Sequence, residues 1–274
     1  MNLDLLTSEL IAAQIPNELC TVAGETPIAD RLRPFIDDSL EWLRVEFLGP
    51  EDFLSDAHSL LVFKIAIAKA YADALPALDL VVTPSGIGVI STQNLTPASR
   101  DRVDRLVASR RDYVRAQLPV LIDICRKYPQ WRESERGHHF CSTFLYNPNG
   151  ITLPNGELLD FDSVHSRCTL IESRLSEFFL GRDLMEMLRS NFHAGIVEAS
   201  HPLVDEIRTA ELALLHRAAS TDKLATRRTL WPYARAIVAM LDRYPDYYEL
   251  WHDEMGHIFE AKHFVNDIKG GFYF

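Results

Sequence analysis

Five glutamates precede a histidine by three residues: Glu135/His138, Glu198/His201, Glu249/His252, Glu254/His257 and Glu260/His263. On a helix, such a pair leaves one face together. Inside a four-helix bundle, pairs of this kind build di-metal centres. The deciding question is whether that face is the core. In the closing stretch YYELWHDEMGHIFEAKHFV, read as a regular helix, Trp251, Met255, Ile258 and Phe259 form one narrow apolar arc. Glu249, His252, Asp253, Glu260 and His263 fall on the opposite arc and are expected to face water, where a dry metal site cannot form. Glu198/His201 runs into Pro202 and straddles a helix start. The expectation is solvated pairs, with no metal, no cofactor and no catalytic residue. The alternative is a metal-binding helical bundle or an enzyme that uses these pairs.

Other chemistry-bearing stretches fall short of their motifs. HDEMGH (252–257) has its histidines five apart, about 140° around a helix, whereas a zinc-protease motif needs four, with Glu directly after the first. SGIGVIS lacks the third glycine of a dinucleotide loop and does not run straight into a helix. His139 and Cys141 in GHHFC, taken as a strand, share a face but have no third group to orient them. No carboxylate pair stands out among the 39 acids. Cys20, Cys125, Cys141 and Cys168 are far apart with no CxxC, as expected of free thiols in a reducing compartment.

The elements that would position such residues are mostly helical. The first 30 residues, broken by Pro16, Gly24 and Pro27, read as a short helix and an arm. PFIDDSLEWLRVEFLG is an amphipathic helix with a Gly49-Pro50 stop. Residues 57–75, alanine-rich with few charges, read as a central helix. LDLVV and IGVIS are β-branched runs around Thr83-Pro84-Ser85-Gly86, which predicts a hairpin at 78–91. Thr96 and Pro97 then predict the start of a helix reaching about Lys127. Its Arg100, Arg102, Arg105, Arg110, Arg111 and Arg115 alternate with Asp101, Asp104 and Asp112, the pattern of a solvated, ion-paired face. Residues 130–168 read as a loop and hairpin insertion turning at Asn155-Gly156. Helical patterning returns for a second half, 169–274.

Two phrases recur in order. VEFLGPEDFL (45–54) is answered by EFFLGRDLMEM (177–187), and ICRKYPQW (124–131) by MLDRYPDYY (240–248). The simplest account is a duplicated helical unit, 31–129 and 169–274, with the hairpin in the first copy only. The fold class expected is mainly α: a helical bundle of two related halves with one or two β-hairpin insertions. The net charge of −11 argues against general duplex binding. No apolar run approaches the ~20 residues of a membrane span. The start MNLDLLTSELIAAQ has no basic region of a signal peptide.

Four phrases carry a resemblance: RLRPFIDDSLEWLRVEFLGPEDFL, DLVVTPSGIGVIS with NLTPASRDRVDRL, ELWHDEMGHIFEAKHFV, and the terminal GGFYF. In order, they resemble an uncharacterised protein family of Bacteroidetes-type phages and prophages, regarded as virion head–tail adaptor (neck) proteins. The resemblance implies a structural virion component, acting by assembly and not by catalysis. Its partners would be portal or tail components, or itself in a ring, with no membrane and no sequence-specific nucleic acid. The location implied is the bacterial host cytoplasm, then the virion. The candidate assembly element is the hairpin, at Thr83, Pro84, Ser85, Gly86, Ile87 and Val89.

Overall fold

The computed structural model describes residues 3–15, 27–50, 52–78, 80–83, 86–89, 99–146, 161–215, 225–244 and 248–259. The described chain is mainly helical. It divides into two compact units: Met1–His165 with His193–Gly195, and Ser166–Phe192 with Ile196–Phe274. No helix among the described residues is long and apolar enough to cross a membrane.

In the first unit, α1 (Ser8–Gln14) is capped by the Thr7 hydroxyl, which accepts from the Leu10 N–H. Helix α2 (Ile28–Leu43) ends in a π-turn over Arg44–Leu48. Helix α3 (Asp56–Ala74) is central. Val62, Phe63, Ile65, Ala66 and Ile67 are all buried, so apolar side chains cover the helix nearly all round. One side of α3 packs with α1 and α2 around Leu32, Ile36, Phe63 and Ile67. Its other side meets α4 (Arg100–Cys125) around Val62, Ile65, Leu118 and Ile122.

The backbone between α3 and α4 forms a two-stranded antiparallel ladder, β1 (Leu80–Thr83) with β2 (Gly86–Val89). The helix after it opens at Arg100 with Ser99 in the cap position, and the expected start at Thr96-Pro97 lies outside the described residues. On α4, Arg100 pairs with Asp104 at 3.6 Å and Arg115 with Asp112 at 3.2 Å. Two short helices come next, α5 (Pro129–Glu133) and α6 (Glu135–Cys141). The stretch 130–168, expected as loop and hairpin, is therefore helical at both ends. Its beginning is α5 and α6, and α7 (Phe161–Leu175) starts before its close. The predicted turn at Asn155-Gly156 lies outside the described residues.

The second unit takes up most of α7, whose end widens into a π-turn over Ser176–Leu180. Then come α8 (Arg182–His193), α9 (Pro202–Leu215) and α10 (Arg227–Arg243). Thr226 and Thr229 close the start of α10 with a reciprocal capping box. The short α11 (Glu249–Trp251) passes through a π-turn, His252–Gly256, to a last turn at His257–Phe259.

Each unit is fastened by the same device. In the first, the Gly49 N–H donates to the Arg44 carbonyl at 2.7 Å, and Gly49 sits at φ 80°. Phe47 lies in the last turn of the helix, where its carbonyl has no intrahelical donor, and the buried Trp131 indole N–H reaches it at 2.9 Å. Phe140 stacks between the two rings, 6.0 Å from Trp131 and 5.8 Å from Phe47. In the second, the Gly181 N–H donates to Ser176 at 2.9 Å with φ 77°. The Trp251 indole N–H reaches the Phe179 carbonyl at 2.7 Å. Phe259 stacks on Trp251 at 5.6 Å and lies 6.5 Å from Phe179. We call each arrangement a clasp.

The helices between clasp parts do not match one for one. The first π-turn is followed by one 19-residue helix, the second by a 12-residue and a 14-residue helix. The expected superposition of 45–75 on 177–219 as equivalent helix pairs is not what the structure shows.

The clasp makes a prediction. Trp131→Phe and Trp251→Phe keep a ring but leave a buried carbonyl without its donor. Each should cost about 1–3 kcal/mol. Trp251→Ala, which also empties a fully buried site, should cost about 3–5 kcal/mol. Guanidinium unfolding of the purified variants measures both. Losses under about 0.5 kcal/mol for the Phe variants would show that the indole bond is dispensable.

Candidate functional site

The ladder β1–β2 is paired Leu80↔Val89, Val81↔Gly88, Val82↔Ile87 and Thr83↔Gly86. Neighbours along a strand alternate between faces. The register therefore places Leu80, Val82, Ile87 and Val89 on one face, and Val81, Thr83, Gly86 and Gly88 on the other. Of the expected assembly residues, the register brings Ile87 and Val89 to the same face and sets Thr83 against Gly86. Pro84 and Ser85, which join the strands, lie outside the described residues. No third strand pairs with the ladder among the described residues. In an antiparallel pair, alternate residues turn their backbone N–H and C=O away from the partner strand. Among the described residues no strand takes up those outward groups.

The Glu-x-x-His pairs are not brought together. Glu135 and His138 are both exposed on α6. Glu198 is exposed and His201 half-buried, just before α9. Glu260 and His263 lie outside the described residues. Among the described residues, no three His, Cys, Asp or Glu side chains gather as a metal site. His252 departs from the water-facing arc expected of it. It is half-buried, edge-on to Trp251 at 4.8 Å, with Nε2 3.2 Å from the Leu241 carbonyl. The physical reason is the π-turn at 252–256, which breaks the 100° advance per residue on which that arc was drawn.

Glu254 has an architectural role. Its carboxylate accepts from the Arg182 N–H at 2.8 Å and the Asp183 N–H at 3.2 Å, the first two residues of α8. Two of the four orphan donors of that helix end are thereby satisfied by a negative charge at the positive end of the helix dipole. Glu254 stands three residues after Trp251 and beside Gly181. In the first unit Ser134 stands three residues after Trp131, with its Oγ 3.7 Å from where a Gly49 Cβ would lie. There the hydroxyl serves its own chain, donating to the Trp131 carbonyl at 2.7 Å and capping α6 at the Gly137 N–H.

GHHFC lies on helix α6, not a strand. His139 and Cys141 are therefore about 200° apart and share no face. Ser142 Oγ lies 2.5 Å from His165 Nε2, but the hydroxyl donates its one proton to the His139 carbonyl at 2.8 Å. The His139 carbonyl therefore competes with the imidazole for the one hydroxyl proton. Burial pushes the half-buried Cys141 thiol up to about 12, and pushes Cys125 and Cys168 further in the same direction. The three described thiols are unreactive at neutral pH.

One pair of acids escaped the reading of the sequence. Glu172 and Glu211 face each other, buried, in the second unit. Glu211 falls in the apolar phase of α9 with Ile207, Ala210 and Leu214, and that phase is the signal that could have revealed it.

Residues 34–141 match DUF6712, a family of unknown function. That stretch includes the whole of the first clasp, from Phe47 to Phe140, and the ladder β1–β2. No curated protein and no solved structure matches the chain.

The two glycines at the clasps make a paired prediction. Gly49→Ala meets only ordinary contacts, so left-handed strain alone should cost about 1–2 kcal/mol. At Gly181 a Cβ would lie 2.5 Å from Glu254 Oε2 and displace the cap of α8. Gly181→Ala should cost about 2–4 kcal/mol, strain and lost cap together. Denaturant unfolding of both variants tests the order; equal losses would remove the cap from the account.

Proposed function

We propose that the protein is a structural virion component of a phage or prophage, a head–tail adaptor or connector that acts by assembly and not by catalysis. The hairpin at 80–89 is its contact element, meeting a portal or tail component or the next copy of itself in a ring. The observation that carries this reading is the ladder itself. It is a strand pair set between two helices, in which Leu80 is registered against Val89 and Val82 against Ile87, with no third strand among the described residues. An unpaired edge offers backbone hydrogen bonds to a neighbour, and an apolar face adds side-chain burial. The phrase that most specifically resembles the phage family is this hairpin with the subsequent NLTPASRDRVDRL, and it falls inside the stretch that matches DUF6712. The acidic balance suits a protein lining a DNA path without holding the DNA. On this reading the chain is made in the bacterial cytoplasm and ends in the particle.

The test separates folding from assembly. Ile87→Ser with Val89→Ser should change unfolding free energy by no more than about 0.5 kcal/mol, as at surface positions. The tagged variant should fail to enter particles released on prophage induction, where the wild type enters. A stability loss of about 2–4 kcal/mol, the range for emptied core sites, would assign these residues to the protein's own core. Normal incorporation of the variant would equally reject the assembly role.

A further inference from the structure

The second unit buries two glutamates where its helix pattern calls for apolar side chains. On α9 the buried side runs Leu203, Val204, Ile207, Ala210, Glu211 and Leu214. Glu211 has no exposed surface, and on α7 Glu172 is 2% exposed, one turn from the buried Cys168. The Arg167 guanidinium donates to the Leu215 carbonyl at 3.1 Å. Five residues on along α7 and four back along α9, Glu172 and Glu211 reach the same level of the helix pair. The two carboxyl groups have unequal company. Glu172 Oε2 accepts from Arg189 of α8 at 3.2 Å. Neither oxygen of Glu211 has a nitrogen or hydroxyl donor within hydrogen-bond distance, and its one weak donor is the Cys168 thiol. The groups that face it are Glu172 and Cys168 from α7 and Arg208 from its own helix. Arg208 makes no hydrogen bond to it, and its guanidinium lies against the Phe192 ring at 5.9 Å.

Two ionised carboxylates cannot hydrogen-bond, because both only accept. A single proton converts one into a donor and removes one of two like charges from a buried site. The choice between them is set by their partners. Glu172 is hydrogen-bonded to a cation and keeps its charge; Glu211 faces Arg208 without a hydrogen bond to it and takes the proton. We propose that Glu211 is protonated at neutral pH and donates to the Glu172 carboxylate, making the α7–α8–α9 core a built-in proton site that loosens in alkali. The site needs nothing from the assembly reading.

Burial, and next the Glu172 charge, push Glu211 well above its ordinary value of 4.5. An unfolded chain releases this proton near that value, and the folded chain only at higher pH. Between the two, folding takes up a proton. The contribution is complete below the unfolded value and is lost as pH rises through the folded one, by up to about tenfold in the folding constant per pH unit. The pair titrates as one system.

The experiment uses the full chain. Infrared spectra at neutral pH should show a protonated-carboxyl C=O band that Glu211→Gln removes. Thermal midpoints from about pH 5 to about pH 9 should fall by several degrees in the wild type, and markedly less in Glu211→Gln, whose amide mimics the protonated acid. A band that persists in the variant, or the same pH slope in both proteins, overturns the proposal. Should the variant not fold, the wild-type spectrum still decides, since absence of any carboxylic-acid band at neutral pH overturns it as well.

Discussion

A buried indole N–H has to find an acceptor, and in a helical protein nearly every carbonyl is already taken. Helix ends leave carbonyls over, and Phe47 and Phe179 lie in the last turns of the π-turns at Arg44–Leu48 and Ser176–Leu180. Each carbonyl is taken by a tryptophan that arrives 84 residues later in one unit and 72 in the other. That single bond ties the π-turn to a distant helix across the intervening chain. The stacked phenylalanine fills the space between the two ends. Gly49 and Gly181 answer the same constraint, since the chain must leave the π-turn through a backbone conformation that a side chain disfavours.

The two clasps solve their surroundings differently. In the first, Ser134 is spent on its own segment, and the chain beyond Gly49 needs no cap until α3 begins at Asp56. In the second, α8 begins directly after Gly181, so its exposed N–H groups lie against the clasp and Glu254 serves them. The type of residue three places after each tryptophan thus matches the segment that the glycine leads into. The acid pair of the second unit is a further local solution, with one carboxylate hydrogen-bonded to Arg189 and the other to no cation.

Much of the helical plan is legible in the residues. The apolar stripe and Gly-Pro stop mark α2, the alanine-rich run marks α3, and the alternating Arg and Asp mark the solvated face of α4. The features that escaped have a common cause. Periodicity assumes 100° per residue, so it cannot see a π-turn, and it misplaced His252. GHHFC looked like a strand because its histidines and aromatic are poor helix formers. The Ser134 cap and the clasp contacts of Phe140 override that weak preference. Glu172 and Glu211 lie 39 residues apart, and only the packing of α7 on α9 makes them a pair. The β-branched runs marked the two strands, while their register needed the pairing itself.

Helix α4 is a rod of 26 residues, about 39 Å long. One end comes after the hairpin in the chain, and the other leads through Arg126–Tyr128 into the helix that carries Trp131. A helix is stiff along its axis. The rod is not uniform along its length. The weak section is near Pro119, which has no N–H to give and so breaks the run of bonds that stiffens the rod. Under load, α4 bends there first, and the bend sits among Leu118, Leu121 and Ile122, whose packing against α3 opposes it.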